Sequence, residues 1–166
     1  MKKVVVFTLL CVVVIVQVAV AGTEEGDKEI QIQGAITNTK SSKYDYDSTV
    51  YNIQLNLISF YSSYLSGGLS LQYSESGSDY TQTGLAYRID GYLGDATSKH
   101  VPYIGGTLGL FSTSAGDSRD GGIYWGIHGG LKYFVEENIS LNFELDHTEY
   151  DDFEVNMFFT GFSYIY

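Results

Sequence analysis

The sequence predicts an all-β protein, an eight-stranded antiparallel up-and-down transmembrane β-barrel. Three observations predict it. Apolar and polar residues alternate with period two in eight segments after Glu29, as strands with one apolar face do. The polar partners in those segments are mostly Gln, Asn, Ser, Thr and Gly, whereas a sheet face turned to water is dense in Lys, Glu, Asp and Arg. The N-terminus carries an export signal.

That signal reads as follows. Lys2 and Lys3 precede a nearly continuous apolar stretch over 4–16, and Ala19-Val20-Ala21 precedes Gly22. These are the n-region, h-region and small-residue cleavage site of a secretory signal peptide. The competing reading, an uncleaved helical anchor, is disfavoured by the small residues at both Ala19 and Ala21. The expected division is a cleaved signal peptide over 1–21, a short N-terminal extension over 22–28, and one barrel domain over 29–166. The one cysteine, Cys11, lies in the leader, so no disulfide is expected to brace the exported chain. The formal net charge is −11, and loss of Lys2 and Lys3 with the leader takes it to −13. So acidic a chain is a poor binder of nucleic acid or heparin.

The strands follow in order. Over 30–36, Ile30, Ile32 and Ile36 alternate with Gln31 and Gln33; over 51–57, Tyr51, Ile53, Leu55 and Leu57 alternate with Asn52, Gln54 and Asn56. The third sets Leu69, Leu71 and Tyr73 against Ser70, Gln72 and Ser74, and the fourth sets Thr83, Leu85, Tyr87 and Ile89 against Gln82, Gly84, Arg88 and Asp90. The fifth, over 102–112, is glycine-rich, with Ile104, Leu108 and Leu110 opposite Gly105, Thr107 and Gly109. In the sixth, Ile123, Trp125, Ile127, Leu131 and Tyr133 oppose Gly126, His128, Gly130 and Lys132. The seventh sets Ile139, Leu141, Phe143 and Leu145 against Ser140, Asn142, Glu144 and Asp146, and the eighth, over 154–166, puts Phe158, Phe162, Tyr164 and Tyr166 on one face. Residues 37–48, 75–79, 113–122 and 147–153 are polar connections, 136–138 is a tight turn, and 59–67 and 94–101 are intermediate. These connections are short, which argues against a large protruding adhesive sheet.

The composition of the polar register suits a narrow lumen, and the aromatics near the strand ends suit interfacial girdles. Four segments carry a family resemblance: the strand Tyr103-Ile-Gly-Gly-Thr-Leu-Gly-Leu-Phe111, the run Gly129-Gly-Leu-Lys-Tyr-Phe134, then Ile139-Ser-Leu-Asn-Phe-Glu144, and the ending Gly161-Phe-Ser-Tyr-Ile-Tyr166. Together they resemble the OmpA/OmpX-type small outer-membrane barrels of Gram-negative bacteria. The resemblance implies a location in the outer membrane and contact with its lipid and lipopolysaccharide. It implies recognition by the barrel-assembly machinery through the alternate aromatics Phe158, Phe162, Tyr164 and Tyr166. A monomer is expected. The last residue is Tyr where Phe is commoner in that family, and no segment resembles the periplasmic peptidoglycan-binding domain of its longer members, so no cell-wall tether is implied.

Several constellations carry side chains capable of chemistry. Arg88, Asp90, His128, Lys132, Asn142, Glu144 and Asp146 share the lumen register. They form either a proton- or ion-binding site or a buried network in which Arg88 and Lys132 neutralise the acids, since an unpaired charge in a narrow lumen is costly. His147-Thr-Glu149 invites a hydrolase reading, but the His-x-Ser-Asn arrangement of outer-membrane lipid A deacylases is absent, and no catalytic residue is assigned. No metal-ligand spacing and no cofactor motif is found. Tyr44-Asp-Tyr-Asp47 and Glu149-Tyr-Asp-Asp-Phe-Glu154 are acidic outer segments that either hold divalent cations against lipopolysaccharide phosphates or are solvated tips. The expected function is an outer-membrane protein with a structural or surface-interaction role, no open pore and no enzymatic activity. The alternatives are a soluble periplasmic lipocalin-like carrier of an apolar ligand and a lipid-modifying enzyme.

Overall fold

The computed structural model describes residues 24–41, 46–77, 80–93, 98–116, 118–150 and 154–166, and for 38–41 and 46–48 it describes the backbone alone. The leader, Tyr44-Asp45 and the 151–153 segment lie outside the described residues.

Eight strands run in chain order: β1 Lys28–Ser41, β2 Tyr46–Ser62, β3 Leu65–Ser76, β4 Tyr80–Tyr92, β5 His100–Ala115, β6 Ser118–Glu136, β7 Ile139–Tyr150 and β8 Glu154–Ile165. Each pairs antiparallel with the next, and β8 returns to β1, closing the barrel. Full closure leaves no free sheet edge along the paired wall. The closing ladder is short, running from Glu29↔Ile165 to Gly34↔Thr160. Lys28 and Tyr166 exchange backbone hydrogen bonds (2.9 and 2.8 Å), so both ends of the barrel chain lie at one rim. Below it, 24–27 form a turn with Gly26 at φ 98°, tied to the wall by Gly26 N–H donating to the Phe60 carbonyl (3.0 Å).

The period-two pattern sets the radial direction of every side chain. Outward-facing Leu57, Leu69, Leu71, Leu85, Ile89, Ile104, Leu108, Leu110, Ile123, Ile127 and Leu145 are exposed, Leu108 to 62%, while inward-facing Gln31, Asn56, Arg88, Lys132, Asn142 and Glu144 are buried. A soluble barrel does the reverse. The apolar-ligand carrier, which required the apolar face turned inward, is therefore overturned.

The lumen is more apolar than the sequence suggested. Ile58, Phe60, Tyr92, Val101, Tyr103, Phe134 and Ile165 form a plug at the rim holding the termini. Ala35, Met157 and Phe159 fill a second layer, and Ala86, Tyr124 and Tyr150 a third, with Phe111 and Val155 against them. β8 contributes apolar residues to both faces, which hides its inner set from an alternation test.

Connections differ from expectation at both rims. Residues 59–67 are not a loop of intermediate length: β2 and β3 stay paired through Ser62↔Leu65, with a bulge at Tyr61, and turn within two residues. At the far rim, 37–41 and 46–48 belong to a continuous β1–β2 ladder. Likewise 113–115 and 118–122 continue the β5–β6 ladder, where Ser112, Thr113 and Ser114 face Gly121, Asp120 and Arg119. These stretches are polar on both faces because no lipid bounds them, so in sequence they look like loops. The β5–β6 hairpin runs five residues past Leu110, the last large exposed apolar residue of β5, about 17 Å of strand at 3.4 Å per residue. The far rim thus bears projecting strands where short loops were expected. Residues 147–150, taken into the polar connection 147–153, likewise continue β7.

Candidate functional site

Among the described residues, one polar constellation lies in the lumen and another on the outer wall. In the lumen, Arg88 and Asp90 are two residues apart on β4 and so point the same way. Arg88 Nε donates to Asp90 Oδ2 (2.8 Å), and its Nη2 crosses the barrel to Glu144 Oε2 on β7 (2.7 Å). The Tyr103 hydroxyl of β5 donates to the same Glu144 oxygen (2.7 Å), and its ring lies beneath the guanidinium, 5.8 Å from Cζ. His128 Nε2 of β6 meets Asp90 Oδ1 at 2.6 Å. Arg88 and Glu144 are 1% and 0% exposed in their side chains, so the group is closed to solvent.

Lys132 on β6 forms an ion pair with Glu29 on β1, and its ammonium sits over the rings of Tyr92 and Tyr103 (5.5 and 5.8 Å). This corrects the expected assignment in part. Arg88 does neutralise Asp90 and Glu144, but Lys132, opposite Asn142 in the β6–β7 register, reaches across to β1. Asp146 accepts from Thr148 Oγ1 (2.6 Å), and neither Arg88 nor Lys132 pairs with it. Asn142 accepts from Ser140, which also contacts Ser163 (3.2 and 2.7 Å). On the β1–β3 side a ladder of amides continues the network: Asn56 donates to Gln31 (2.9 Å), and Gln54 donates to Asn56 and Ser70 (3.2 and 3.0 Å).

Glu29 and Tyr103 are the members that sequence reasoning missed. Both were findable by parity, since Glu29 shares the register of Gln31 and Gln33, and Tyr103 that of Gly105 and Thr107. The glycines of β5 and β6 explain the room the network needs. A Cβ at Gly105 would overlap His128 Nε2, Asp90 Oδ1 and the Ile89 carbonyl; one at Gly130 would stand 2.5 Å from the Tyr103 ring. The glycine-rich strand is thus the space in which His128, Asp90 and Tyr103 meet.

On the outer wall, His147 and Glu149 of β7 face outward with Asn156 and Glu154 of β8, paired His147↔Asn156 and Glu149↔Glu154. His147 Nδ1 is 2.8 Å from Asn156 Oδ1, and Nε2 is 3.6 Å from Glu149 Oε1. Thr148 faces the lumen, so the hydroxyl of the His147-Thr-Glu149 sequence is on the opposite side of the wall from the imidazole. No hydroxyl–imidazole–carboxylate chain forms from these three. On β8, Phe158, Phe162, Tyr164 and Tyr166 face outward as expected, with Tyr164 and Tyr166 stacked at 6.2 Å. Tyr61, Tyr133 and Tyr164 stand near the strand ends at the rim with the termini, and Tyr51 and Tyr73 stand toward the opposite ends of β2 and β3, while the exposed Tyr87 and Trp125 lie within the apolar belt. Tyr61 and Tyr87 share a hydroxyl contact of 2.6 Å.

No protein-family model and no curated protein matches the sequence. Solved structures do match. The N-terminal β-barrel domain of OprF from Pseudomonas aeruginosa superposes with a TM-score of 0.64 at 18% identity, covering 86% of this chain and 98% of that one. The fold is that of the small outer-membrane barrels. Neisserial surface protein A gives a TM-score of 0.58 at 18% identity over 85% of this chain and 97% of that one. Ail, the attachment invasion locus protein of Yersinia pestis, gives 0.53 at 15% identity over 86% and 99%. An outer-membrane barrel fold accounts for the two girdles, the exposed apolar belt between them and the sealed polar lumen.

Proposed function

We propose that this chain is an integral outer-membrane protein without catalytic activity, closed to solutes, that acts through the projecting hairpins of the rim remote from its termini. One observation carries the proposal: the ionised residues of the wall are sealed inside it while large apolar residues cover its outside. Only a lipid solvent makes that arrangement favourable, since apolar surface is stable against lipid and every backbone group is satisfied in a closed barrel.

The lumen network acts as a structural plug. Its cations are both ion-paired with carboxylates, and the cluster of Phe60, Tyr92, Val101 and Phe134 stops the terminal rim. The exposed alternate aromatics of β8 are the segment that the assembly machinery recognises, lipid and lipopolysaccharide cover the belt, and the protein works as a monomer. The projecting β1–β2 and β5–β6 hairpins are the surface available to external partners.

The test is recovery of the mature chain from membranes followed by electrophoresis with and without boiling, paired with conductance in planar bilayers. A heat-shifted band from the detergent-soluble fraction with no step conductance supports the proposal. An unshifted band in the soluble fraction, or discrete conductance steps of a solute-sized pore, overturns it.

A further inference from the structure

We propose that His147, Glu149 and Glu154 form a divalent-cation site on the outer wall, at the upper edge of the apolar belt, selective for a zinc-like metal over magnesium or calcium. The pattern along both strands locates it. On β7 the outward residues are Leu141, Phe143 and Leu145, then His147 and Glu149; on β8 the outward Phe158 gives way to Asn156 and Glu154. The change from apolar to ligating residues occurs at the same height on both strands.

Three features separate this cluster from a patch of surface acids. First, one ligand atom from each of the three residues lies within 4.8 Å of the others. Ligands around tetrahedral zinc stand about 3.3 Å apart, so small rotations of the half-buried Glu149 and the exposed Glu154 complete the set. Secondly, Asn156 Oδ1 accepts from His147 Nδ1 (2.8 Å), which places the lone pair on Nε2, the atom turned toward Glu149. An imidazole held at one nitrogen and open at the other is how metal-binding histidines are oriented. Thirdly, Glu149 and Glu154 are directly opposite across the β7–β8 ladder, where like charges destabilise a sheet. The ion pairs of the described residues bring neither Lys nor Arg to them. A dication between two carboxylates and a neutral imidazole removes that repulsion and closes the end of the hairpin. Nitrogen among the ligands favours zinc-type ions over hard cations.

In sequence, Glu149 and Glu154 bound one acidic segment and His147 stands two residues before it, but only the β7–β8 pairing brings the three together. The experiment uses the barrel purified in detergent, stripped with chelator, and titrated calorimetrically with zinc chloride and with magnesium chloride. The His147→Ala, Asn156→Ala and His100→Ala variants follow, each first shown folded by its heat-shifted band. The expected result is one saturable zinc site and magnesium binding at least about 100-fold weaker. His147→Ala should abolish the site, Asn156→Ala should weaken it about 10-fold to 100-fold by freeing the ring, and His100→Ala should leave it unchanged. No saturable zinc heat, equal affinity for magnesium, or zinc bound equally by His147→Ala overturns the proposal.

Discussion

Replacing Arg88 with Met removes the positive charge of the lumen network while keeping an unbranched chain of similar reach. Two short charge-assisted hydrogen bonds disappear, to Asp90 at 2.8 Å and to Glu144 at 2.7 Å, with a longer third at 3.4 Å. Bonds of this kind contribute about 1.5–3 kcal/mol each, so the short pair alone gives about 3–6 kcal/mol. Breaking a buried ion pair by deleting one partner costs about 3–5 kcal/mol. Tyr103 and His128 still contact the orphaned carboxylates, which places the expected loss toward the lower side, about 3–4 kcal/mol. That corresponds to a fall of about 100-fold to 1000-fold in the folding constant. The compensated variant Arg88→Met with Asp90→Asn and Glu144→Gln carries no unpaired charge and should recover at least half of the loss. The assay is urea unfolding of the refolded barrel in lipid vesicles, followed by the heat-shifted band and by the fluorescence of Trp125, the only tryptophan. A loss below about 1 kcal/mol for Arg88→Met, or a triple variant no more stable than the single, would refute the neutralising role of the guanidinium.

Other outcomes follow from the same geometry. Leu71→Arg, in the middle of β3 and facing outward between Leu55 and Leu85, should cost about 2–4 kcal/mol in vesicles; urea titration showing no loss would deny that lipid covers this face. Gly105→Ala drives a methyl into the His128–Asp90 contact and should cost about 1–3 kcal/mol, whereas Gly106→Ala, whose methyl meets only the Gly126 carbonyl at 3.5 Å, should stay within about 0.5 kcal/mol. Equal unfolding midpoints for the two variants would contradict the glycine argument. Tyr166→Asp should lower the amount of folded barrel in membranes while leaving export intact, measured by fractionation; normal membrane levels would remove Tyr166 from the assembly signal.

The strands were legible because one physical fact, lipid outside and packed polar groups inside, stamps period two on every wall segment. Leu69-Ser70-Leu71 and Leu141-Asn142-Phe143 could be oriented from sequence alone. Legibility failed where that fact ceases to apply. Ser112-Thr113-Ser114 lie beyond the apolar belt and have no face to distinguish, so a paired strand resembled a loop. Partner choice inside the lumen was also hidden: Lys132 and Glu29 are 103 positions apart, and nothing local records that a lysine side chain can cross the barrel. The inward Met157 and Phe159 were masked by outward Phe158, because β8 is apolar on both sides.

The ladder between β1 and β8 has a thermodynamic character of its own. Every other joint in the wall links neighbours in sequence and closes a short loop, but this one must bring 29–34 to 160–165. Closing a loop of about 130 residues costs about 4 kcal/mol of chain entropy, and that cost is met by the shortest ladder of the eight. Among the described residues the β1–β8 ladder ends at Gly34↔Thr160, and beyond it Ala35 packs against Met157 and Phe159. Cohesion there comes from side-chain packing, with Val155 against the cluster, instead of a backbone zipper. The cylinder therefore has one line of low hoop strength, set by the order in which the chain is written, and radial stress will part the wall along it first.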